Sequence, residues 1–479
     1  MDITSLKSWE LREKILNKEI SSYEVTEAFL EKIDEVEDEI NAYITIDADR
    51  ALEKAKLVDQ KILEGKEIGI LAGLPIAIKD NIMTRNLRTT CASKMLEKYV
   101  PPYDATVIEK IKMEDGIIIG KANMDEFAMG GSTETSYFGP TKNPRNKSFV
   151  PGGSSGGSAA AIAANEAAFA LGTDTGGSIR QPASYCGVVG VKPTYGLVSR
   201  YGVVPMSNSL DQVGVFGKDV KDAYIALKSI VGFDPLDATS SKKAKLEDIN
   251  FEEVSLKGLR IALPKEYDEL RVEGDQKIRE VFERSLKVFE NNGATIEYVS
   301  LPYLKYALET YYLISTAEVS TNLSRFDGIR YGHRAIDYDT LDELYINSRT
   351  EGFGEETKRR IMMGTYALSQ GYKDEHYKKA LKIRTLIKDD YDRVFKNFDL
   401  ILSITSPILP FPFDSVINSP VDMYKADTYT VPVNLAGLCA MSVPMGEVDG
   451  LPVGLQITAN RFNEKKLFTA AYGYERSAR

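Results

Sequence analysis

Two glycine-serine clusters, Gly152-Gly153-Ser154-Ser155-Gly156-Gly157-Ser158 and Gly176-Gly177-Ser178, bracket an alanine-rich run from Ala159 to Ala170. Glycine opens backbone conformations closed to other residues and lets a ligand approach main-chain N–H groups. Serine supplies a hydroxyl that attacks once something removes its proton. Gly/Ser tracts alone make flexible linkers. Here they enclose a run with the composition of a tightly packed buried helix leading into a short strand. The segment Ile179 to Val198 beyond it is again largely apolar. A solvated linker does not have such neighbours. The stretch is therefore expected to fold inside the protein, with its serines held where backbone N–H groups converge.

The rest of the chain reads as strands alternating with helices. Residues 1–65 read as helices: Ser21 with Glu24 forms a capping box, and Val25, Ala28, Phe29 and Ile33 mark one apolar face. Ile68 to Ile78 reads as a buried strand ending on Lys79. Asp104 to Lys112 follows as a helix and Ile117 to Ile119 as a strand, while Lys121 to Pro140 reads as loop and short helix. After the central stretch, Leu236 to Asn250 is a charged, exposed excursion. Arg260 to Pro264 is a strand and Gln276 to Phe289 a helix; Tyr303 to Val319 and Lys358 to Phe398 are long helical patterns. Leu400 to Thr405 and Val453 to Thr458 read as further buried strands. A chain of 479 residues has room for about three average domains or one large α/β domain. The alternation favours α/β around a mainly parallel or mixed sheet, and only the region near 236–250 resembles a boundary.

Composition removes several function classes. A net charge of −10 argues against a broad surface for gripping nucleic acid. Cys91, Cys186 and Cys439 lie far apart with no CxxC spacing, which points to neither a disulfide framework nor a zinc site. The opening MDITSLKSWELREKI lacks a signal-peptide pattern, and no run reaches ~18 apolar residues, so a cytoplasmic protein is expected. Gly116 to Lys121 misses Walker A spacing by one residue, the SxxK match at Ser240 lies in the charged excursion, and no GxGxxG opens a helix after a strand. Binding of ATP or a dinucleotide by this chain lacks support.

His333 and His376 are the two histidines, and neither neighbours a Gly-Ser cluster in sequence, so a Ser-His-Asp relay is not expected. A serine nucleophile then needs another base, and a neutral lysine can serve. Lys79, at the end of an apolar strand, is the best-placed candidate, since desolvation lowers an ammonium's pKa from ~10.4. The N–H groups around Asp174-Thr175-Gly176-Gly177-Ser178 can form an anion-binding nest for the oxyanion of an acyl-transfer intermediate. Serine acyl transfer is the favoured reading.

Gly152 to Gly157 followed by Gly172-Thr-Asp-Thr-Gly-Gly-Ser-Ile-Arg-Gln-Pro182 resembles the amidase signature family, and the resemblance covers essentially the whole chain. Further stretches (LAGLPIAIKDNI, MDEFAMGGSTE, SRFDGIRYG, KRRIMMGTYALSQGY and DTYTVPVNLAGL) narrow it to the branch of glutamine-hydrolysing subunits in tRNA-dependent amidotransferases. The resemblance implies a single amidase-signature domain over 1–479: N-terminal helices at 1–65, a catalytic core at about 66–215, and a remainder completing a central mixed sheet and a glutamine pocket. It implies a relay of Lys79 as base, Ser154 as proton shuttle after a cis peptide bond, and Ser178 as nucleophile. Thr175, Gly176 and Gly177 would line the oxyanion hole. Ser155 and Ser158 read instead as helix-capping hydroxyls.

Glutamine carries a carboxylate and an ammonium beside its amide, so a specific pocket should hold one fixed cation and one anion. By motif these are Arg360 and Asp427, with Tyr311 and Ser132 also reaching the substrate. Arg359 is a near-equal choice for the carboxylate anchor, through bidentate donors. The resemblance further implies a heterotrimer completed by B and C subunits. Ammonia released here would serve the ATP-dependent conversion of Glu-tRNA(Gln) to Gln-tRNA(Gln), with ATP, Mg²⁺ and most of the tRNA held by the B subunit and no cofactor bound by this chain. Cys439 stands where the family usually has proline, and reads as a small buried hydrophobe. A stand-alone amidase for small amides and a non-catalytic scaffold are the alternatives.

Overall fold

The computed structural model describes residues 2–270, 275–415 and 420–478. Its centre is a mixed sheet. In chain order the strands are β1 (Tyr43–Ile46), β2 (Pro75–Lys79), β3 (Ile117–Ala122), β4 (Phe169–Asp174), β5 (Val189–Lys192), β6 (Gln212–Gly217), β7 (Arg260–Pro264), β8 (Thr295–Val299), β9 (Leu400–Ile404), β10 (Cys439–Val448) and β11 (Leu451–Ala459). Their order across the sheet is β1-β3-β2-β4-β6-β5-β10-β11-β9-β7-β8. Strands β2, β3, β4, β5, β9 and β11 are buried over all or nearly all of their length. Helices cover both faces, as strands apolar on both sides require. This is the α/β fold with a central mixed sheet that the alternation indicated.

The sheet topology prepares the site. β2 pairs in parallel with both β3 and β4, so Lys79, Asn123 and Asp174 all stand at the carboxyl ends of adjacent strands. The crevice beyond those ends is where an open α/β sheet offers a binding site. The helix Gly156–Ala163 returns the chain from that edge to β4, which carries Ser154 and Ser155 to the same edge as Lys79.

Several sequence expectations need correction. Residues 43–46, read as part of a helical stretch, form β1, antiparallel to β3. Four residues are too few for periodicity to register. The strand expected over 68–78 starts at Pro75, because Gly73 adopts φ +75° and turns the chain first. The helical pattern over 358–398 divides into Glu355–Leu368 and Lys378–Val394, with Gly371 at φ +91° between them. Lys121 belongs to β3 rather than to the following loop. The hairpin β10–β11 turns through Asp449 and Gly450, at φ +51° and +77°, the left-handed pair that a tight hairpin favours. The three cysteines are free and buried, Cys439 opening β10. No helix among the described residues is long and apolar enough to cross a membrane.

Candidate active site

Lys79 closes β2 with no solvent exposure. Its Nζ lies 2.8 Å from Ser154 Oγ, 2.8 Å from Ser155 Oγ and 3.4 Å from the Thr173 carbonyl. Burial pulls its pKa down, against the upward pull of Asp125, Asp174 and Asp211, to about 7. The amine is thus poised between charged and neutral. When neutral it has two hydrogens and one lone pair. The Ser155 hydroxyl donates to the Thr173 carbonyl at 3.1 Å, so its oxygen faces Nζ as an acceptor, and the Thr173 carbonyl can only accept. Those two groups take the amine's hydrogens and leave its lone pair for the Ser154 hydroxyl. Ser155 therefore orients the amine and does not cap its helix; Ser158, too, donates to the Leu171 carbonyl at 2.9 Å instead of capping. Both capping expectations are corrected, because strand carbonyls and the amine lie closer than the helix N–H groups.

The peptide Gly153–Ser154 is cis. A Cβ on Gly153 would fall 2.0 Å from Asp125 Oδ2 and 2.7 Å from the Ser132 N, so the Ser132 backbone packs directly against the segment that presents Ser154. Asp125 is fully buried and accepts the Thr135 hydroxyl at 2.9 Å and the Ser132 N–H at 3.3 Å. The Ser178 carbonyl accepts the Ser155 N–H at 3.2 Å, which joins the second glycine cluster to the first.

The turn leading to Ser178 is built around Asp174. Its carboxylate accepts the N–H groups of Gly177 (3.0 Å) and Ile179 (3.2 Å), Nε and Nη2 of Arg180 (3.0 Å each), and Asn434 Nδ2 (2.9 Å). Burial alone would raise this carboxyl, but Arg180 prevails and holds it at about 2. Thr175 donates its hydroxyl to Asp211 at 2.7 Å, and Thr430 donates to the Gly176 carbonyl at 2.6 Å. Among the described residues, the N–H groups of Thr175, Gly176 and Ser178 have no protein acceptor. Gly177's N–H belongs to Asp174, so of the three residues expected to line an oxyanion hole, Gly177 contributes backbone shape and not a free donor. Ser178 itself is half-buried among fully buried neighbours.

The residues expected to form a substrate pocket come from distant segments. A Cβ on Gly176 would meet the Tyr311 hydroxyl at 2.7 Å, and one on Gly177 would meet Asp427 Oδ1 at 3.2 Å. Both side chains thus press on the nucleophile's loop. Among the described residues, Asp427 accepts one hydrogen bond, from the Tyr312 hydroxyl at 3.4 Å. Burial raises its carboxyl, against Arg360 and Arg180, to about 7. Asp427 is half-buried, and among the described residues no lysine or arginine forms an ion pair with it. Arg360 donates Nε to Glu356 at 2.8 Å and lies 5.6 Å from the ring centres of both Tyr312 and Tyr424. Desolvation lowers its pKa, but Glu356 together with Tyr312, Tyr424 and Tyr311 raises it by more and holds the guanidinium firmly charged. Arg359 is more exposed, pairs with Glu356 and lines a cavity of about 300 Å³ together with Ser132.

Sequence reasoning missed Ser155, Asp125, Asp211, Tyr312, Tyr424 and Glu356. Asp174 and Arg180 lay inside the glycine-rich motif, and their buried ion pair was the signal available there. The histidines stay outside the relay: His333 pairs with Glu351 and His376 stacks on Tyr372.

The family model that matches the chain is Amidase, over residues 24–468. The A subunit of glutamyl-tRNA(Gln) amidotransferase from Caldanaerobacter subterraneus subsp. tengcongensis is 55% identical over 477 residues, which is 100% of this chain and 97% of that protein. The crystal structure of the glutamyl-tRNA(Gln) amidotransferase A subunit from Thermotoga maritima superposes with a TM-score of 0.79 at 41% identity, covering 99% of this chain and 95% of that one. The native peptide amidase from Stenotrophomonas maltophilia gives a TM-score of 0.82 at 28% identity, with 99% and 97% covered. The chain belongs to the amidase family, and within it to the glutamyl-tRNA(Gln) amidotransferase A subunits.

Proposed function

We propose that this chain is the glutaminase subunit of a glutamyl-tRNA(Gln) amidotransferase. The observation that carries the reading is the buried amine of Lys79, held 2.8 Å from Ser154 in a segment whose Ser155 N–H bonds the Ser178 carbonyl, in a chain 55% identical over its length to the A subunit of such an enzyme. Neutral Lys79 draws the proton from Ser154 as Ser154 takes that of Ser178. Ser178 Oγ then attacks the side-chain carboxamide of glutamine. The N–H groups of Thr175 and Gly176 receive the oxyanion, which charge-assisted donors stabilise more than the neutral carbonyl. As the C–N bond breaks, the relay returns a proton to the departing ammonia. Water, deprotonated by the same relay, cleaves the seryl ester to glutamate.

Arg360 holds the α-carboxylate of glutamine, whose ammonium pairs with Asp427; Tyr311 and Ser132 line the same pocket. Ammonia passes to the B subunit, which uses ATP and Mg²⁺ to activate Glu-tRNA(Gln), and the C subunit completes the heterotrimer in the cytoplasm. The chain itself binds no cofactor in this reading. The acidic balance of the chain fits tRNA being held by the partner. The test is reconstitution of the three subunits with Glu-tRNA(Gln), ATP, Mg²⁺ and glutamine. Gln-tRNA(Gln) and glutamate should form together, and glutamine hydrolysis absent from the complete complex would refute the reading.

Two further outcomes follow from the ionisation states. A lysine at about 7 is a base only above that pH, so kcat with glutamine should rise as pH passes upward through about 7. A kcat flat between pH 6 and 8 would count against Lys79 as base. Asp427→Asn should raise the KM for glutamine at least about tenfold, since the substrate's ammonium then meets no counter-charge. Steady-state glutamate release measures it; an unchanged KM would remove Asp427 from the pocket and favour a simple amidase.

A further inference from the structure

Glu126 follows Asp125 in the MDEF stretch, and the two carboxylates face opposite halves of the site. Asp125 lies against the Gly153–Ser154 segment. Glu126, 3% exposed, reaches the start of the helix that carries Arg360. Its Oε1 accepts the Ser93 hydroxyl, and its Oε2 accepts the Gly354 N–H at 2.8 Å and the Thr357 hydroxyl at 2.6 Å. Gly354 is the N-cap of the helix Glu355–Leu368 and has no side chain with which to cap it. Glu126 therefore supplies, from 228 residues away in sequence, the acceptor for the N-cap N–H that a Glu or Gln at the third helical position provides in a capping box. Its negative charge also suits a helix N-terminus.

The anchor of that carboxylate is firm on both sides. Phe127 and Ala128, at φ +48° and +63°, turn the backbone immediately after Glu126. The Phe127 ring packs on Phe326 and on Phe353, the residue before Gly354, at centroid distances of 4.9 and 5.7 Å. The Glu126 N–H donates to the Thr135 hydroxyl at 3.0 Å, and that hydroxyl donates to Asp125 at 2.9 Å. An unbroken set of hydrogen bonds thus runs from the segment beside Ser154 to the first turn of the Arg360 helix. Glu126 also borders a cavity of about 300 Å³ shared with Ser132, Glu356, Phe411 and Met423. Both its oxygens are taken by donors of the chain, so it acts through the helix.

We propose that Glu126 is a positioning residue for glutamine recognition: it sets the depth of the Glu355–Leu368 helix, and hence of Arg360, relative to Ser154 and Ser178. The proposal rests on the glutaminase reading above. The test uses the complete three-subunit complex and measures kcat and KM for glutamine in wild type, Glu126→Ala, Glu126→Gln and Thr357→Val, with thermal unfolding of each. Loss of a buried charge-assisted acceptor should raise KM at least about tenfold in Glu126→Ala, with kcat within about threefold of wild type. Thr357→Val should shift KM the same way by a smaller factor. Glu126→Gln keeps a carbonyl for Gly354 and Thr357, and Ser93 can turn to accept from the amide, so its KM should stay within about threefold.

A general loss of structure would lower kcat in all three variants, which the split between KM and kcat excludes. Wild-type KM in Glu126→Ala, a kcat loss at constant KM, or a Glu126→Gln variant as poor as Glu126→Ala would each overturn the proposal alone. Should Glu126→Ala fail to fold, Thr357→Val decides: an unchanged KM overturns the proposal and a raised one supports it. A wild-type complex that releases no glutamate from glutamine would overturn the glutaminase reading, and this proposal with it.

Discussion

Replacing Ser178 with alanine should cut glutamine hydrolysis by at least about 10³-fold, since removal of a nucleophile leaves only binding and oxyanion stabilisation. Amidation of Glu-tRNA(Gln) fed by added ammonium should continue in the same complex. The reason is spatial. Ser178 contributes a hydroxyl at a half-buried position, while the turn that carries it is held by Asp174, Asp211 and Thr430, none of which bonds to the Ser178 side chain. Loss of Oγ therefore leaves the fold, and the surfaces that meet other subunits, in place. Measuring glutamate release beside Gln-tRNA formation, with glutamine or ammonium as nitrogen donor, separates the two activities. Glutamine-dependent turnover that persists in Ser178→Ala would mean that another group forms the ester.

The second large effect concerns stability. Arg180 is fully buried and donates to Asp174 through Nε and Nη2, to the Thr430 carbonyl at 2.9 Å, to Gln456 at 2.7 Å and to Asn434. One guanidinium thus joins the nucleophile's turn to the segment before β10 and to β11. Arg180→Met fills similar space but leaves Asp174 as a buried charge without its counter-ion, which costs about 3–5 kcal/mol. The midpoint of denaturant unfolding should fall accordingly, and soluble yield with it. The pH dependence has a definite sign. Asp174 sits at about 2 in the folded chain and near ~3.9 unfolded. It therefore stabilises the fold above the unfolded value and ceases to do so as pH falls toward 2. In Arg180→Met that contribution should vanish or reverse, so the variant's relative deficit should shrink on acidification. A deficit below ~1 kcal/mol at neutral pH would show that Asn434 and the backbone donors suffice for Asp174.

The sequence carried the first half of the site more openly than the second. Lys79 stood out because an ammonium closing an apolar strand needs an explanation, and the two Gly-Ser clusters bracket one helix and the strand that follows it. The pocket proposed for the amino-acid end of the substrate draws instead on Tyr311, Arg360 and Asp427, from segments that no local periodicity connects. Arg359 and Arg360 were near-equal in the sequence, and it is the fold that separates them by burial. Glu356, Thr357, Arg360, Gly364 and Ala367 are the buried residues of their helix, and spacings of three and four from Arg360 put them on one inward stripe. Arg359 is one position, ~100°, off that stripe. Ser155 could not be read correctly, since its place before a helix favours a cap and only the fold reveals a closer amine. Short strands such as β1 and β5, of four residues each, are legible only through their partners.

The order of the sheet has a consequence for the chain while it is being made. All of β1 to β6 has left the ribosome well before β10, which closes the exposed edge of β5. With roughly 250 residues still to be synthesised, at 5–20 residues per second, that edge waits about 10–50 s for its neighbour. Strand edges left open are where nascent chains stick to one another. Translation of the second half therefore sets how long this protein must be shielded from its own copies.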